Sequence, residues 1–167
     1  MATRSNQHSI EPLYTAEERV RRDSTVWTLV QGILAPVQFV VFLVSVGLIA
    51  RTLITGEGAE IAHISVVVKT LVLYAIMITG AIWEKVVFGR YLFARAFFWE
   101  DVFSMAVLAL HTAYLWALST GTWTSESLLF LALAAYATYL INAAQFIWKL
   151  RLARLSAPSQ PTLGEAA

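Results

Sequence analysis

The chain has 167 residues, 58% hydrophobic and 14% charged, with a formal net charge of +1 and no cysteine. So much apolar surface exceeds what a core of this size can bury, which argues against a soluble domain and for a membrane protein. The missing cysteines exclude disulfides, thiolate metal sites and thiol nucleophiles. No dense Lys/Arg patch calls for a nucleic-acid partner.

Residues 1–13 read as a loose tail. "YTAEERVRRDS" follows as a short surface helix, with Thr15 as N-cap and Glu18 three positions later completing a capping box. This polar, mixed-charge start is not a cleavable signal peptide. Four apolar windows are then long enough to span a bilayer: Val26–Leu53, Ile61–Val87, Trp99–Thr120 and Ser127–Trp148. Pro36 lies inside the first and frees the carbonyl of Gly32. "TGEG" (55–58) and "STGTWTSES" (119–127) read as short turns, and the Pro- and Ser-rich end "SAPSQPTLGEAA" (156–167) as a disordered tail. The expected architecture is all-α: a four-transmembrane-helix bundle over 14–155, with a short N-terminal surface helix and no internal repeat.

Basic residues set the expected orientation. Arg4, Arg19, Arg21 and Arg22 precede the first span. Lys85, Arg90 and Arg95 flank the middle loop, and Lys149, Arg151 and Arg154 follow the last span, whereas the other two loops hold only Arg51. The positive-inside rule then places both termini and the middle loop in the cytoplasm.

Polar groups gather toward that side. "FFWEDVFSMAVLALH" (97–111) puts Glu100 and Asp101 at the mouth of the third span, with Glu84 at the end of the second. At about 1.5 Å of rise per residue, Gln31 and Gln145 lie roughly 5–8 Å inward, Asn142 about 10 Å, and Gln38 and His111 about 17–18 Å. Glu100, Ser104, Val107 and His111 share one helix face, and Asp101 points about 100° away. Glu84 and Glu100 are therefore expected to face each other. Lys69, in the outer half, is expected to snorkel outward.

Each of these groups also has a plainer role. Gln31, Asn142 and Gln145 suit interhelical hydrogen bonds. The two acids suit the positive end of their helix, and Glu84 and Lys85 suit an interfacial pairing with Arg90 or Arg95. His111, an ionisable group deep in a span, is the hardest to read as merely structural. Trp27, Trp83, Trp99 and Trp148 mark the cytoplasmic ends of all four spans, either as an aromatic belt or partly as walls for a flat π-system.

Over Tyr14–Leu155 the chain resembles the 3-vinyl bacteriochlorophyllide hydratase family. The resemblance is carried by "YTAEERVRRDSTVWTLVQGILAPVQFVVFLVS", "GAIWEKVVFGRYLFARAFFWEDVFSMAVLALHTAYL" and "YLINAAQFIWKLRLARL". It implies a lyase that adds water to the 3-vinyl group of chlorophyllide or bacteriochlorophyllide, giving a 3-(1-hydroxyethyl) group. It also implies a place in the bacterial inner, photosynthetic membrane, with lipid around the chain and other pigment-synthesis enzymes as candidate neighbours. Water is the co-substrate, and no cofactor is needed, since Mg²⁺ arrives within the tetrapyrrole.

The resemblance assigns no residue roles, so these rest on the chemistry. Alkene hydration needs a proton donor, a base for water, and negative charge near the cation. Glu84, Glu100 and Asp101 are the candidate catalytic groups, Asp101 the weaker. His111, Gln31, Gln38, Asn142, Gln145, Trp83 and Trp99 are candidate substrate-binding residues. His111 has two open roles: axial ligand to the substrate Mg²⁺, or hydrogen-bond partner of Gln38. A non-catalytic pigment-binding or assembly protein is the alternative, with less use for several acids. A transporter would spread ionisable groups through the full membrane depth.

Overall fold

The structure, a computed structural model, describes residues 13–155, side chains as far as 152. Of the expected tails, 1–13 and 156–167, all but Leu13 lies outside the described residues; Leu13 packs against the ring cluster around Tyr14. Five helices follow in order: α1 (Ala16–Ser24), α2 (Val26–Thr55), α3 (Ala59–Phe88), α4 (Phe98–Thr120) and α5 (Ser125–Leu155). Four of them, α2 to α5, are long and apolar enough to cross a membrane. No strand occurs among the described residues.

The capping box is present: Thr15 Oγ1 accepts from Glu18 N at 3.2 Å, and Thr15 N donates to Glu18 Oε2 at 2.8 Å. α1 carries no buried residue of its own. It lies against α3, where Arg21 Nε donates to the carbonyl of Val87 at 2.9 Å and satisfies part of that helix's C-terminus. Tyr14, just before α1, is buried, which pushes its phenol up in pKa against the lowering pull of Arg22.

α2 runs unbroken through Pro36. The α3 helix stops at Gly89, whose φ of 82° lets its N–H reach the carbonyl of Lys85 at 3.1 Å. Only glycine takes that left-handed geometry without strain.

The helices form two antiparallel hairpins, α2–α3 and α4–α5, packed more extensively within themselves than against each other. Apolar side chains such as Val40, Val44, Leu71, Ile78, Phe130 and Ile141 point outward and are exposed. This is the pattern of a bundle solvated by acyl chains. A core of Phe42, Ile49, Val66, Val107, Leu129 and Tyr136 fills the middle. At the outer end, His63 ties three helices together: Nδ1 lies 2.7 Å from Tyr114 Oη and Nε2 lies 2.8 Å from Ser125 Oγ.

Candidate functional site: an acid pair at the mouth of the bundle

The loop 89–97 joins the two hairpins and folds back over the mouth. Phe93 sits there at φ 60°, the one non-glycine residue with positive φ among those described. Such a conformation carries strain that the surroundings must hold. Here the cause is visible: the turn aims two consecutive N–H groups at two carboxyl groups. Phe93 N donates to Asp101 Oδ2 at 2.7 Å, and Ala94 N donates to Glu84 Oε2 at 3.2 Å. Arg90 Nη1 closes the turn onto the carbonyl of Phe93 at 3.3 Å.

Glu84 and Asp101 also hydrogen-bond each other through their side chains. Both are buried, with 5% and 4% of their surface exposed. Two ionised carboxylates are acceptors only, so this contact exists only with a proton between them. Two adjacent buried carboxylates resist ionising together. One proton held between the two carboxyl groups would satisfy this contact.

This geometry corrects the expected pairing. Glu84 faces Asp101, and Glu100 turns to α5, where its Oε2 takes Lys149 Nζ at 2.6 Å. One turn deeper on the same stripe, Asn142 Nδ2 donates to Ser104 Oγ at 2.8 Å. The stripe of Glu100, Ser104, Val107 and His111 thus packs on α5. The residue about 100° away is the one that meets α3. Asp101 is the stronger acid candidate, not the weaker.

The acids sit beside a cluster of rings. Tyr14, Trp83, Phe88, Phe97 and Phe146 pack on one another, with Trp83 edge-on to Phe97 at 5.7 Å between centroids. Trp83 Nε1 donates to Thr28 Oγ1 at 2.9 Å, which fixes the indole. Lys149 Nζ lies 5.1 Å from the Phe97 ring centre, so the ion pair and the rings are continuous. Trp99 does not join them. It is 66% exposed, turned to the bundle exterior, where it suits the aromatic belt.

Deeper in the bundle the expected polar residues divide. Gln31 Nε2 donates to Thr79 Oγ1 at 2.7 Å, a bond inside the α2–α3 hairpin. Gln38 lies beside Tyr139 of α5, and the anticipated bond to His111 is not formed: Gln38 Oε1 and His111 Nε2 both lack a partner among the described residues. His111, fully buried, places Nδ1 2.8 Å from the carbonyl of Val107. Lys69 does not snorkel outward. It is fully buried, with Nζ 4.0 Å from the ring centre of Tyr139.

Sequence reasoning used Lys149 only for orientation and passed over Phe93 and Tyr139. Lys149 had a legible signal, since it ends the last span at the depth where Glu100 begins the third. Phe93 had none, because its backbone conformation is dictated by the carboxyl groups it serves.

The fold and the site together define a class: a polytopic helical membrane protein with a buried carboxyl pair beside a ring cluster at one end. Against a family model described as 2-vinyl bacteriochlorophyllide hydratase, residues 14–152 match, and the chain belongs to this family. A protein of that name from Rhodobacter capsulatus is 68% identical over 152 residues, 91% of this chain and 88% of the relative. Another of the same name, from Cereibacter sphaeroides, is 67% identical over 143 residues, 86% and 89% of the two chains. The 2-vinyl of these names and the 3-vinyl position above are the same substituent. No solved structure matches the chain.

Proposed function

We infer that the chain is a hydro-lyase that adds water to the 3-vinyl group of bacteriochlorophyllide or chlorophyllide in bacteriochlorophyll biosynthesis. The observation that carries the chemistry is the buried contact of the Glu84 and Asp101 carboxyl groups, which would share one proton. Transfer of that proton to the terminal vinyl carbon leaves a cation on the carbon next to the ring, which the macrocycle delocalises. Water attacks that carbon, and the resulting oxonium returns a proton to the carboxyl pair. The sum is one water added, with the pair restored.

During the cationic interval both carboxyl groups are ionised beside the positive carbon, an arrangement that stabilises charge as it forms. The N–H groups of Phe93 and Ala94 hold the two carboxylates in place. Glu100, ion-paired to Lys149, adds negative charge close to Asp101. The ring cluster, Trp83 above all, offers a flat apolar wall for the macrocycle. Gln38, Asn142, Gln145 and His111 lie further along the interior. The Mg²⁺ of the tetrapyrrole comes as part of the substrate.

Four apolar helices make this an integral membrane protein. The basic asymmetry supports cytoplasmic termini and, with them, a cytoplasmic acid pair. A bacterial inner, photosynthetic membrane suits the pathway, and neighbouring pigment-synthesis enzymes suit a substrate this insoluble. The purified chain in lipid nanodiscs, given the vinyl pigment, is expected to shift the red absorption band to shorter wavelength as the conjugated vinyl is lost. A carrier without catalysis would bind pigment and leave the vinyl intact.

A further inference from the structure

Five buried side-chain atoms in the seam between the two hairpins have no hydrogen-bond partner among the described residues: Gln38 Oε1, Lys69 Nζ, His111 Nε2, Asn142 Oδ1 and Gln145 Oε1. They come from all four spanning helices. Gln38 and Lys69 converge on Tyr139, the first beside its hydroxyl and the second over its ring. Lys69 also lies within electrostatic reach of His111. Asn142 and Gln145 follow on α5, one and two turns nearer the mouth. Unmatched polar groups in an apolar interior are strongly destabilising, so a set of five calls for an occupant.

Donor and acceptor arithmetic selects it. Nδ1 of His111 faces a carbonyl, which only accepts, so Nδ1 carries the proton and Nε2 presents a lone pair. Gln38 Oε1, Asn142 Oδ1 and Gln145 Oε1 are also acceptors. The set is therefore four acceptors and one ammonium. A carboxylate of the substrate would suit Lys69 but would face the lone pairs of its neighbours. A tetrapyrrole Mg²⁺ would take His111 and leave Gln38 and Lys69 unmatched. Water answers both sides: it accepts from Lys69 and donates to His111 and Gln38, the two to four partners an internal water requires.

We propose that Gln38, Lys69 and His111 hold an internal water between the two hairpins, continued by Asn142 and Gln145 as a hydrated file toward the acid pair. The water consumed in the reaction is then drawn from the protein interior, and its approach is set by the bundle. This rests on the hydratase reading for its purpose, though not for its existence.

X-ray radiolytic labelling in ¹⁸O-water, with the full chain in nanodiscs and no pigment present, tests it. Radicals formed from a held water label the side chains beside it. Tyr139 and His111, although buried, are expected to take up ¹⁸O as exposed Tyr91 does. Gln38→Leu and Lys69→Met are expected to lose the Tyr139 label while Tyr91 keeps its own. Wild-type Tyr139 and His111 left unlabelled beside a labelled Tyr91 would overturn the proposal, whether or not the variants fold. So would a Tyr139 label indifferent to both substitutions in folded protein. Because no turnover is read, a chain that labels as expected yet never hydrates pigment would sink the hydratase reading alone.

Discussion

Glu84 of α3 and Asp101 of α4 share a hydrogen bond between their carboxyl groups, held from the loop side by the N–H groups of Ala94 and Phe93. The contact joins the two hairpins at the end of the bundle closed by the 89–97 loop. In the proposed reaction it supplies the proton that hydration of an alkene must move first. Structure and chemistry therefore depend on the same pair, and the substitutions that separate them are conservative ones.

The Glu100–Lys149 ion pair is partly buried, so removing one partner strands the other. Glu100→Gln or Lys149→Met is expected to lower stability by about 1–3 kcal/mol. The double variant is expected to recover most of that loss, because no lone charge remains. Thermal unfolding of the four proteins in one detergent measures the coupling, and strictly additive losses would argue against the pair.

Phe93 pays for its left-handed backbone in strain. Glycine adopts that conformation freely, whereas a β-branched residue does not. Phe93→Gly is expected to leave thermal stability near wild type, while Phe93→Val lowers it by about 1–3 kcal/mol. Phe93→Val should also reduce turnover, since the N–H on Asp101 moves with the loop. Equal behaviour of the two variants would contradict this account.

Gln31 provides a contrast. Its bond to Thr79 lies within one hairpin, away from the acid pair, and interhelical polar bonds of this kind contribute about 0.6 kcal/mol on average. Gln31→Leu is expected to shift unfolding slightly and to leave kcat unchanged. A large loss of turnover would return Gln31 to the substrate-binding residues.

Much of the fold was legible because lipid imposes simple rules. Spans declare themselves by length and apolarity, and the Thr15–Glu18 box marks a helix start by residue type alone. The rotation of each helix about its own axis was not legible. Spacing places Glu100, Ser104 and His111 on one stripe, but only packing decides that α5 receives it. That choice sends Asp101 to Glu84 and gives Glu100 to Lys149. Lys69 fails for a related reason: a long side chain could reach the outer surface, yet the rotation of α3 turns it inward over Tyr139.

Orientation has its own test. Reporters fused in the 89–97 loop and after Leu155 are expected to be active in the cytoplasm, and one in the turn at 56–58 on the opposite face. An outer signal after Leu155 would overturn the orientation drawn from the basic residues.

The central claim is that the proton shared by Glu84 and Asp101 is the one delivered to the vinyl group. The most direct measurement compares hydration by wild type, Glu84→Gln and Asp101→Asn in the same membranes, reading the product by its mass gain of one water. Each amide keeps the size and hydrogen-bonding shape of its acid but cannot exchange a proton. Turnover is expected to fall at least about a hundredfold in both variants, with helix content and pigment binding retained. Near-normal hydration in either folded variant would contradict the claim.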